Sequence, residues 1–102
     1  MQIGRVEGTV VSTNKSEKLA GLKMLIVQPL ELETMKEKGG MIVAIDAVGA
    51  GAGEVVMLVG GSSSRQTALT DGKPVDMSIV AIIDHIDIGK NRVFEKYGKD
   101  EG

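Results

Sequence analysis

Ala44 to Arg65 reads A-I-D-A-V-G-A-G-A-G-E-V-V-M-L-V-G-G-S-S-S-R, and the reading of this stretch decides the fold. Two aliphatic runs, ending at Val48 and Val59, flank a loop in which Gly49, Gly51 and Gly53 alternate with alanine. Short aliphatic runs joined by a glycine-rich connector mark strand, turn and strand. A phosphate cradle is the competing reading, because glycine lets backbone N–H groups approach an anion. The spacing opposes it. A dinucleotide fingerprint needs Gly-x-Gly-x-x-Gly opening a helix, and a P-loop needs a lysine after its last glycine. Here Glu54-Val55-Val56-Met57 continues as strand, and no lysine follows Gly53. The loop is read as a tight connection built on positive φ values, or as a place where backbones come close.

Outward from this centre the pattern repeats. Gln2 to Ser12 reads as a first strand, interrupted by Gly4 and Gly8. Glycine inside a strand marks a bulge or a sharp bend. Thr13 to Gly21 is a polar loop, and Leu22 to Pro29 is the second strand. Leu30 to Gly40 is charged and reads as a loop or one helical turn. Gly40 to Val48 is the third strand, Glu54 to Gly60 the fourth and Val75 to Ile86 the fifth. Ser62 to Leu69 reads as a short helix with Ser62 as N-cap, and Thr70 to Pro74 as a turn. The charged tail from Gly89 carries an apolar pair, Val93-Phe94, that frames a short extra strand. The 102 residues make one domain, with a barrel over 1–88 and a charged tail over 89–102. Five strands, one short helix and glycine-marked bends predict a mainly all-β fold. The predicted architecture is a small closed five-stranded barrel of the oligonucleotide/oligosaccharide-binding (OB) type. A β-sandwich is the structural alternative.

The strands carry a second message. A half-exposed antiparallel strand alternates apolar and polar residues. Met24 to Val27, Met41 to Ile45, Val55 to Val59 and Ile79 to Ile83 are instead nearly continuous apolar runs. Such strands need cover on both faces, and one short helix is too little. Either the tail and the Leu30 to Gly40 segment fold back, or another chain supplies the cover. The pattern favours an oligomer whose interface is built largely from strands.

Composition removes several functions. Hydrophobic residues are 42% of the chain, but the aromatics are only Phe94 and Tyr97, so the core is aliphatic. Binding of single-stranded nucleic acid on an OB-type face needs aromatic stacking platforms and a positive groove. Neither is present, since the net charge is −2 and the five main strands lack aromatics. No nucleic-acid partner is expected. With no cysteine there is no disulfide, thiolate metal site or cysteine nucleophile. The first residues lack a signal-peptide core, and no apolar run nears membrane-spanning length. The expectation is a soluble intracellular protein with no membrane partner and no cofactor.

Polar groups that could carry chemistry are few. Asp46, Asp76 and Asp84 each sit within or beside an apolar run. Any two make a formal acid/base pair, but such carboxylates more often satisfy backbone N–H groups at strand ends or pair with a base such as Arg65. His85, the single histidine, shares a strand face with Asp87 and lies opposite to Asp84. Those two residues fall short of a metal's ligand set. Ser62-Ser63-Ser64 has no base nearby, so no serine nucleophile is read there.

Several segments, taken together and in order, carry a resemblance. They are G-R-V-E-G-T-V-V-S-T, L-A-G-L-K-M-L-I-V-Q-P-L, A-I-D-A-V-G-A-G-A-G-E-V-V-M-L-V, G-S-S-S-R-Q-T and P-V-D-M-S-I-V-A-I-I-D. Over about Met1 to Asp87 the chain resembles the pentameric vertex proteins of bacterial microcompartment shells. The resemblance implies an OB-type barrel assembled into a homopentamer that caps shell vertices, in the cytoplasm, beside hexameric facet proteins. It implies no catalytic, cofactor or metal residue. By position, Asp46, Gly49, Gly51, Gly53 and Glu54 match the family's loop. Gly61, Ser62, Ser63 and Arg65 match its Gly-Ser-Ser-Ala-Arg motif, with Ser64 in place of alanine. Asp76 and Asp84 fall in the matching P-V-D and I-I-D segments. Arg65 is expected to make a charge-assisted hydrogen bond to a carboxylate. Lys15, Glu17 and Lys18 are candidate contacts to facet proteins.

Overall fold

The structure, a computed structural model, describes residues 1–11, 22–60 and 77–96. It contains seven strands among the described residues: β1 (Gln2–Val10), β2 (Met24–Leu30), β3 (Ile42–Asp46), β4 (Val55–Gly60), β5 (Met77–Ile82), β6 (His85–Ile88) and β7 (Asn91–Glu95). The first five close a barrel in the order β1-β2-β3-β5-β4, and β4 pairs back to β1. All ladders in the barrel are antiparallel except β3 with β5, which is parallel and short, from Ile45↔Ser78 to Asp46↔Ile79. The described residues hold no helix, and the expected helix over 62–69, the loop over 13–21 and the turn over 70–74 fall outside them.

The barrel is filled by Val6, Leu25, Val27, Ala44, Ala50, Val56, Leu58 and Ile79, all nearly inaccessible. This interior is aliphatic, as the composition requires. With no aromatic to fill volume, strands must come close, and Gly4 permits it. A Cβ at Gly4 would collide with Val27 Cγ1 and sit 3.0 Å from the carbonyl oxygen of Gln28. Gly8 has a different role. The register of β1 against β2 slips between Val6 and Gly8, leaving Glu7 as the extra residue of a bulge. Bulges of this kind bend a strand around a barrel corner.

The fifth strand differs from its expected span of 75–86. It ends at Ile82, and a second strand begins at His85. The apolar run ends one residue later, at Ile83, and Asp84 follows at the bend. The stop also comes from β4, whose first residue, Val55, still accepts a hydrogen bond from Ile83 N–H at 2.8 Å. Beyond Val55 the neighbouring strand has ended, and the chain turns into the β6–β7 hairpin. Gly89, at φ 60°, occupies the first position of its two-residue turn, where hairpins favour a positive φ.

Leu30 to Gly40 forms a closed loop. Glu31 N–H donates to Lys36 O at 2.8 Å, and Met35 N–H to Glu31 O at 2.8 Å. The buried Gln28 amide pins the loop, donating to Pro29 O at 3.0 Å and Gly39 O at 3.1 Å. Loop and hairpin both reach the outside of the barrel. Ile3, Leu30 and Val55 form a second buried cluster there, packed by Met35, Ile83, Ile86 and Phe94. The chain therefore supplies part of the outer cover that its apolar strands demand. Other apolar residues stay open, including Leu32, Met41, Val43 and Val48.

Candidate functional site

The loop from Asp46 to Glu54 is built by two carboxylates. Asp46, at the end of β3, is 7% exposed. Its Oδ1 accepts from Val48 N–H at 3.0 Å and Gly49 N–H at 2.9 Å, and its Oδ2 from Ala50 N–H at 3.0 Å. Asp side chains favour this local capping of their own downstream backbone. Gly49 and Gly53 take φ values of 81° and 85°, which the reversal requires and glycine adopts without strain. Ala50, held between them, is buried in the barrel core.

The outgoing side is fastened by Glu54. Its Oε1 accepts from Gly51 N–H at 2.6 Å, and its Oε2 pairs with Lys96 Nζ at 2.8 Å. The Lys96 contact first, and then the Gly51 N–H, hold the Glu54 carboxyl below its usual range. Gly53 N–H donates to Val6 O at 2.8 Å, and Val6 N–H to Glu54 O at 2.9 Å. The loop is thereby tied both to β1 and to the end of the hairpin. An anion has no place here, because the N–H groups of residues 48–50 already point at the Asp46 carboxylate.

The other candidates lie apart. Asp84 is exposed at the bend between β5 and β6, where its carbonyl accepts from Lys96 N–H at 2.7 Å. Asp46 and Asp84 thus serve different junctions. His85 Nε2 lies 3.8 Å from Asp87 Oδ2, and Arg92 Nε donates to Asp87 Oδ1 at 2.8 Å. The Arg92 guanidinium lowers the Asp87 pKa. Among the described residues no group of three or more histidine, aspartate or glutamate side chains could hold a metal. Gly61, Ser62, Ser63, Arg65 and Asp76 fall outside the described residues, as do Lys15, Glu17 and Lys18.

Two features escaped the sequence. Arg5 bonds Glu37 at 2.8 Å and also pairs with Glu7, the bulge residue, so it ties the 31–40 loop to β1. A shallow apolar groove also crosses the outer face of β1, β4 and β5. It consists of concavities of about 300 and about 410 Å³ that share Ile3, Leu32 and Met57 in their linings.

The family described as "Ethanolamine utilisation protein EutN/carboxysome" matches residues 1–84. The chain belongs to the EutN/CcmL family. Its relatives include the bacterial microcompartment shell vertex protein GrpN of Rhodospirillum rubrum, 44% identical over 87 residues, which span 85% of this chain and 97% of GrpN. The GrpN structure, described as a pentameric microcompartment shell protein, superposes with a TM-score of 0.77 at 42% identity, over 86% of this chain and 99% of that one. CcmL of Gloeobacter violaceus superposes with a TM-score of 0.90 at 39% identity, covering 96% of this chain and 100% of that one. The ethanolamine utilisation protein EutN of Escherichia coli gives 0.83 at 37% identity, with 96% and 100% covered. These EutN/CcmL members share the closed barrel, and the named relatives of this chain are shell vertex proteins.

Proposed function

We propose that this protein is a structural vertex protein of a bacterial microcompartment shell, acting as a homopentameric ring beside hexameric facet proteins in the cytoplasm. One observation carries the proposal: the likeness to a pentameric shell protein extends over 99% of that protein's chain.

The physical chemistry agrees. Flat hexagonal facets close into a polyhedron only where five-fold units supply curvature, and a ring needs one surface that meets a different surface on the next copy. Such a protein needs shape and edge contacts, and no reaction. The acidic groups of the loop are engaged in holding backbone, and the protein is read as a non-enzyme. The Gly61, Ser62, Ser63 and Arg65 motif, with Asp76, is assigned to assembly within this reading.

Co-expression with hexameric facet proteins tests the proposal. Closed polyhedral shells in electron micrographs are expected when this chain is present, and open or elongated structures when it is omitted. Identical particles with and without the chain would overturn the vertex role.

A further inference from the structure

Among the described residues, two apolar surfaces carry half-exposed side chains, and they lie on opposite walls of the barrel. The first is the groove. Its floor is a row across three strands, since Ile3 pairs with Met57 and Met57 with Ala81. Leu32, 52% exposed, stands on one bank, and Ile86 of the hairpin lies on the other. The second is a stripe on β3. Val43 is 50% exposed and Met41 is 59% exposed, and Ile26 of β2 pairs beside Val43. Neither Met41 nor Val43 lines the groove. In the closed order β1-β2-β3-β5-β4, strand β3 lies across the barrel from the β1–β4 seam.

We infer that the Met41–Val43 stripe of one copy seats in the Leu32–Met57 groove of the next. The inference rests on the ring reading above and names the two faces that make the ring. Its occupant is a second copy for three reasons. A heterologous ring requires two different faces pointing away from each other, and the barrel order provides that pair. Both faces present mainly aliphatic and thioether side chains to each other, and Gln2, Lys38, Asp84 and His85 also line the groove. A pentameric relative superposes over nearly its whole chain.

Area sharpens the inference. A floor three strands wide, at about 4.8 Å each, and some six residues long, at about 3.3 Å each, covers on the order of 300 Å². A stable interface buries about 800 Å² on each partner. The floor alone is too small, so further segments must touch the neighbouring copy, and the 31–38 loop and the β6–β7 hairpin flank the groove where they can do so.

The test uses the full chain with Leu32→Glu in the groove and Val43→Glu on the stripe. Both positions are half exposed, so each variant should keep the far-UV circular dichroism spectrum of the parent. Native mass spectrometry should then show the parent as a ring and each variant as a single chain, with the interface weakened at least about thirtyfold. Mixing the two variants should yield a pair of chains and nothing larger. The Leu32→Glu copy keeps an intact stripe, and the Val43→Glu copy keeps an intact groove. A parent ring whose two variants also remain rings would overturn this pairing of faces while leaving the ring itself in place. A monomeric parent would overturn the ring reading and the inference together.

Discussion

The Asp46–Glu54 loop and the Leu32–Met57 groove are both surface features, and they are opposites. In the loop, the Asp46 and Glu54 carboxylates accept from N–H groups a few residues away, and Val6 and Lys96 of the same chain tie the loop to the barrel and hairpin. In the groove, aliphatic side chains from distant parts of the chain form an open concavity in which Leu32 is half exposed and Met57 and Ala81 are partly exposed, over a buried Ile3. The loop is complete in one copy. The groove is not, and it is the part of the surface that calls for a partner. Conspicuous glycines therefore mark where the fold closes on itself, and inconspicuous leucine and methionine mark where it meets its neighbour.

Substitutions in the two regions should separate stability from assembly. The largest stability loss is expected from Asp46→Ala. It leaves the N–H groups of Val48, Gly49 and Ala50 without their acceptor, a loss of about 3 kcal/mol. The melting temperature of a domain this size should fall by more than about 10 °C, and Asp46→Asn should lose less. An unchanged melt for Asp46→Ala would erase the distinction between the regions.

Gly53→Ala comes next. Nothing lies within 4 Å of a Cβ built there, so the cost is backbone strain at φ 85° alone, about 1–2 kcal/mol. Gly51→Ala, at a position without positive φ, should cost clearly less in the same denaturation experiment. Equal losses at the two sites would refute the strain account.

The Glu54–Lys96 pair adds a pH dependence. Glu54 titrates below its ordinary range when folded. Its stabilisation is therefore present above the unfolded-state value of about 4.3 and is lost as pH falls through the lower folded value. Glu54→Gln should flatten the fall in melting temperature below about pH 4.5 and cost less than about 1 kcal/mol at neutral pH, as expected for a partly exposed pair. Parallel melting curves from pH 3 to 7 for parent and variant would contradict this. The smallest effect on folding is expected at Leu32→Ser, within about 0.5 kcal/mol by chemical denaturation of the dissociated chain, although Leu32 lines both halves of the groove.

The same contrast explains what the sequence disclosed. The loop was legible because its chemistry is local: an aspartate ending an apolar run, then glycines at the positions that need them. The strands were legible as aliphatic runs, and the barrel from their number. The groove was not, because Ile3, Met57 and Ala81 become neighbours only through pairing across three strands. The end of β5 was only partly legible: Asp84 breaks the apolar run after Ile83, but the split into two strands also follows where β4 begins. The demand for outer cover was visible in the runs. How far the chain meets it itself, through Met35, Ile86 and Phe94, was not.

The most direct test of the central claim is the native mass of the purified protein at micromolar concentration. A vertex ring predicts one species at five times the 10.7 kDa chain mass. A stable single chain would contradict it, and would leave the groove and the stripe without the partner assigned to them here.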